Sequence, residues 1–128
     1  MNYSIISVWT KIKLFSYNLS MTPTLKMIIT TLPKEFNVND FAEKLLMNNL
    51  CVCIQIIPAI TSYYVWNNRI EHDEEIQLHI KFLSKNLNKL ESNIIDMHPY
   101  DTPEIIVIDL DHVSDGYQKW ANSNYLKN

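Results

Sequence analysis

Between Glu75 and Phe82 the chain alternates without a break. Ile76, Leu78, Ile80 and Phe82 hold one parity, and Glu75, Gln77, His79 and Lys81 hold the other. A period of two over this length is that of a β-strand with one apolar face. The stretch before it, Cys51–Ile57, is apolar at both parities except at Gln55, which reads as a strand buried on both sides. Pro58 has no N–H to give a ladder, so the strand is expected to bend or bulge there before resuming over Ser62–Trp66. Asn67-Asn68 suits the positive-φ positions of a two-residue hairpin turn. Cys51 to Leu83 is therefore one long ribbon, and such a ribbon does not stand alone in water. Helices must cover its apolar face, and something else must cover the other.

The remaining segments supply those helices. Leu25–Leu32 reads as a first strand, rich in Ile and Thr and ended by Pro33. Asn37 is placed to cap a helix with Asp40 at its third position, and Val38, Phe41, Ala42 and Leu45 keep helical spacing to about Asn49. Ser84 reads as a second cap, followed by Leu87, Leu90, Ile94 and Met97 at spacings of three and four. His98-Pro99-Tyr100-Asp101-Thr102-Pro103 is a rigid loop, because two prolines forbid helix there. Glu104–Leu110 reads as a fourth strand, and Ser114 caps a short last helix carrying Tyr117, Trp120 and Ala121. The order βαββαβ plus a terminal helix is α+β and ferredoxin-like, with two helices on one face of an antiparallel sheet. On strand parity, Cys51, Cys53, Gln55, Glu75, Gln77, His79 and Lys81 share the other face. Tyr63, Tyr64 and Trp66 extend that surface, and a patch of this kind marks an interface, here expected to be a closed homo-oligomer.

A chain of 128 residues is sized for one domain. Its charge is uneven: no acid precedes Glu35, while from there on seven basic face fourteen acidic side chains, about −7. An acidic body of this kind argues against nucleic-acid binding. The cysteines sit one residue apart, too close on a strand for an unstrained disulfide, so free thiols and a reducing, cytoplasmic setting are expected. Residues 1–20 stand apart from a domain spanning 21–128. They contain no acid, and their longest apolar run is two residues, so membrane insertion is not expected. Three readings fit them: an upstream extension before a true start at Met21, a targeting peptide, or an extra structural element.

Several segments, in order, resemble the CutA family of divalent-cation tolerance proteins. They are Thr30-Thr31-Leu32-Pro33, Cys53, Ile57-Pro58, Ser62-Tyr63-Tyr64-Val65-Trp66, Glu71-His72-Asp73-Glu74-Glu75, Lys81, the loop from His98 to Glu104, and Tyr117 with Trp120. The resemblance covers roughly residues 25 to 125. It implies a homotrimer of ferredoxin-like subunits, similar in architecture to the PII signalling proteins, with a role in copper tolerance and no established catalytic activity. The chain departs from the family at Ala59 and Asn68, where glycine is usual, and at Phe82, where threonine is usual. The first two change turn chemistry where φ is positive.

Cys53 matches the family cysteine associated with copper; Cys51 matches none. Thiolate and imidazole suit copper and zinc, so Cys53 and His98 are the first metal candidates, with Cys51, Glu75 and Glu104 behind them. The plainer alternatives are that both cysteines are buried small hydrophobes at a subunit contact and that a hydrogen bond from His98 locks its loop. His72, His79 and His112 read as surface or interface residues. Glu75 and Lys81 share a strand face but lie roughly 20 Å apart, so only a neighbouring subunit would complete a cleft with Tyr64, Trp66, His98, Tyr100 and Glu104. No nucleophile triad appears, and one glycine excludes a phosphate-binding loop. Two functions follow: a non-enzymatic trimer binding copper or another divalent cation, none of it obligatory, or a PII-like sensing or scaffold trimer that takes a small molecule or protein partner between subunits.

Overall fold

The computed structural model of the chain describes residues 24–124 and residue 126. The readings of residues 1–20, and the domain boundary at 21, lie outside the described residues. Four strands form one antiparallel sheet: β1 (Leu25–Pro33), β2 (Cys53–Trp66), β3 (Arg69–Leu83) and β4 (Ile106–Asp109), in the order β2-β3-β1-β4. Three helices join them: α1 (Val38–Met47), α2 (Leu87–Met97) and α3 (Asp115–Ser123). The split βαβ order is the ferredoxin-like one read from the sequence.

The alternation in β3 does what its period implies. Leu78, Ile80 and Phe82 are fully buried against α1 and α2. Their main partners are Phe41 and Leu45 from α1, Leu90 and Ile94 from α2, and Ile28 and Leu32 from β1. Each such side chain contributes about 1.5–3 kcal/mol of burial. Asn37 caps α1 as expected, its Oδ1 accepting the Asp40 N–H at 3.2 Å. Ser84 does not cap α2. It opens a turn of 3-10 helix, Ser84–Asn86, and its N–H donates to Thr24 O at 2.6 Å. Ser114 sits at the start of α3, but its side chain makes no capping bond. The fourth strand is shorter than read, because β1 offers β4 only four partners, Lys26 to Ile29.

β2 and β3 outrun the sheet. β1 pairs with β3 from Leu83 back to Glu75 and no further. Beyond that point Arg69–Glu74 pairs only with Thr61–Trp66, so a two-stranded ribbon projects about 20 Å. The turn at its tip has Asn67 at φ 49° and Asn68 at φ 60°, the left-handed pair of a tight hairpin. Its outer half is exposed on both faces, with Tyr63 70 %, Val65 75 %, Trp66 64 % and Ile70 79 % accessible. Cys51–Ile57, expected to be buried on both sides, is for the most part only half-buried, with Gln55 and Ile56 exposed. The apolar residues are there, but their cover is not among the described residues.

Pro58 and Ala59 together face the single residue Ile76, the bulge expected at the proline. Ala59 pays for it with φ 58°, where a Cβ is strained. Ala59→Gly should therefore stabilise the fold by about 0.5–1 kcal/mol. Urea unfolding of the two proteins reads this directly; an unchanged midpoint would mean the bulge relaxes around alanine.

Candidate functional site

The candidate residues separate into two groups at opposite ends of the sheet. One lies where the ribbon leaves it. Tyr64 OH donates a short hydrogen bond to Asp73, and Tyr100 OH donates to Glu75 Oε2 at 2.8 Å. Asp73 and Glu75 are two apart on β3, so both tyrosine–carboxylate pairs lie on the face away from α1 and α2. The pairing moves both phenols. Tyr64 is pushed up to about 12, first by its bond to Asp73. Tyr100 is raised as well, first by burial and then by Glu75.

His98 anchors the loop behind them. Its ring is buried, edge-on to Phe41 at 6.4 Å and beside Tyr100 at 5.0 Å. Nδ1 lies 3.1 Å from the Tyr100 N–H, which can only donate, so Nδ1 carries no proton. Nε2 lies 2.8 Å from Thr31 O, which can only accept, so Nε2 carries it; Thr30 Oγ1 is 3.3 Å away. The bonds thus fix a neutral imidazole in one tautomer. Burial lowers the His98 pKa, with the Thr31 bond and Glu75 opposing it. Both nitrogens are occupied, so a metal at His98 would have to break one of these bonds. The loop-locking reading is the one this geometry supports. Glu75 is likewise buried and held by Tyr100, while Glu104 is exposed on the loop before β4.

The second group surrounds Cys53 at the other end. Cys53 is half-buried and stands directly across from Lys81, with Gln55 across from His79 beside it. Lys81 Nζ lies 5.3 Å over the Tyr117 ring, which in turn packs on Trp120 at 5.2 Å. Cys51 is not part of this group. β2 begins only at Cys53, and Val52 N–H turns back onto Lys81 O at 2.9 Å. That reversal puts Cys51 in the core between sheet and helices. Its thiol is pushed up to about 12 by burial, with Cys53 adding to the shift. The two sulfurs therefore do not share a face, and Cys-x-Cys does not present a paired thiolate site.

Within one chain the proposed cleft does not form. Tyr64 pairs with Glu71 and Trp66 with Arg69, ten and twelve residues from Lys81 along β3, or roughly 33 and 40 Å. Among the described residues, no three His, Cys, Asp or Glu side chains are placed to hold a metal ion. One chain offers a single accessible thiol, and a fuller ligand set would need neighbouring copies. Sequence reasoning misses the Lys81–Tyr117 contact, since nothing in the spacing links residues 36 apart.

The family model for CutA1 divalent ion tolerance protein matches residues 26–124. A divalent-cation tolerance protein CutA of Escherichia coli O45:K1 is 31 % identical over 105 residues, 82 % of this chain and 94 % of the relative. Among solved structures, CutA1 from Ehrlichia chaffeensis superposes with a TM-score of 0.74 at 32 % identity, covering 78 % of this chain and 94 % of its own. The divalent cation tolerance protein of Thermus thermophilus gives 0.74 at 28 % identity, covering 79 % and 98 %. With sequence and fold in agreement over that span, the chain belongs to the CutA family of divalent-cation tolerance proteins.

Proposed function

We propose that this chain acts in divalent-cation tolerance as a non-enzymatic homotrimer, and that Cys53 is its point of contact with copper or another thiophilic divalent cation. The carrying observation is the half-buried Cys53 thiol on the sheet face away from the two core helices, the one cysteine not sealed in the core. Thiolate sulfur suits copper, and remaining ligands would come from neighbouring copies. His98, Glu75 and Cys51 have structural roles in this reading. The trimer is supported by the ribbon and by the two sheet edges, β2 and β4, which are uncovered among the described residues and which a closed ring of copies would cover. Both cysteines are free, which suits the cytoplasm. Among the described residues, no helix is long and apolar enough to cross a membrane.

Native mass spectrometry of the reduced protein, titrated with copper, tests both parts. The expected spectrum is a trimer holding discrete copper ions, with at least a tenfold weaker uptake in Cys53→Ser and the trimer intact. A tenfold loss corresponds to about 1.4 kcal/mol. Uptake equal in the two proteins would remove Cys53 from the site. A trimer with no uptake above background would favour the sensing or scaffold reading instead.

A further inference from the structure

The last helix is held differently from the other two. α1 buries Phe41, Ala42 and Leu45, and α2 buries Leu90 and Ile94, whereas α3 buries Ala121 alone. At nine residues, α3 is too short to be helical by propensity, so its docking must hold it. That docking is mostly polar. Gln118 Nε2 donates to Thr24 Oγ1 at 2.9 Å and, within α3 itself, to Asn122 Oδ1 at 3.0 Å, and Tyr117 lies under Lys81. The other end of the same amide, Gln118 Oε1, is buried with no partner among the described residues. Turning the amide over would only exchange which end is orphaned. Water would satisfy that atom on opening, so this contact favours release.

One further contact holds the segment from beyond its end. The Asn49 side chain accepts the Leu126 N–H at 2.9 Å and donates to Leu126 O at 3.0 Å. Asn49 itself sits just past α1 at φ 57°. Tyr117 places α3 against Lys81, and Lys81 is the cross-strand partner of Cys53. We propose that α3 is a lid on the Cys53 end of the sheet, latched by Asn49, which opens without the core and sets how fast reagents reach the Cys53 sulfur. Its link to metal uptake rests on the Cys53 reading above; the lid itself does not.

The latch can be removed without disturbing the backbone, because Asn49→Gly keeps the left-handed conformation. Two hydrogen bonds are lost, which predicts roughly tenfold faster opening. In the full chain, hydrogen exchange of the α3 amides should rise by about that factor, with β1 and β3 unchanged. Iodoacetamide labelling of Cys53, resolved from Cys51 by fragmentation mass spectrometry, should rise alongside. Unchanged α3 exchange overturns the latch. Faster exchange in α3 and core together overturns independent opening, and faster α3 exchange with unchanged Cys53 labelling overturns the lid. Labelling needs no metal, so a protein that binds no copper yet shows the labelling change would sink the metal reading and leave the lid standing.

Discussion

Serine at both Trp66 and Ile70 is expected to reduce the proposed trimer to single chains, read by size-exclusion chromatography with light scattering. The two residues occupy opposite faces of the projecting ribbon, each more than half accessible in the single chain. Covering such a side chain is worth about 1.5–3 kcal/mol, so six of them per trimer amount to on the order of 10 kcal/mol. The loss falls on assembly and not on the subunit, since neither residue touches the core cluster. Far-ultraviolet circular dichroism should therefore keep its form. A trimer that persists would move the assembly surface away from the ribbon, to the edges of β2 and β4.

His98→Leu should destabilise the fold by about 2–5 kcal/mol, because it leaves the Tyr100 N–H and the Thr31 carbonyl without their partner. Urea unfolding at pH 7.5 measures this. The same residue gives the stability a pH dependence of known sign. Its pKa is lowered in the folded chain from the ordinary 6.5, so the unfolded chain takes the proton more readily. The stabilisation is full above pH 6.5 and is lost as pH falls through that value toward the lowered folded one. In His98→Leu this part of the pH profile should disappear. If it stays, the slope belongs to another histidine and the tautomer argument fails.

The readable parts of this protein are the locally determined ones. Strict parity in β3 names its core face, Asn37 names a helix start, and Asn67-Asn68 names a turn whose φ values are those required. The failures have one physical origin, contacts made by residues far apart in the chain. Parity puts Cys51 beside Cys53, but a backbone bond from Val52 to Lys81 ends the strand between them. Apolar residues at both parities of β2 imply burial, yet a sequence carries no mark of whether the cover comes from the same chain or another. The His98 loop lies between these cases. Its two prolines announce rigidity, while its partners on β1, 67 and 68 residues away, decide that the imidazole serves as an anchor.

The contact of Thr24 with Gln118 and Asn122 has a topological consequence. It brings the chain just before β1 against α3, so the described part of the fold is nearly a closed loop of chain. Joining residue 124 to residue 24 through a short linker and reopening the chain at Asp101-Thr102, an exposed turn, should give a circular permutant with the same sheet. In such a permutant the linker would lie at the seam beside α3, and in a symmetric assembly it would be displayed once per copy at equivalent positions.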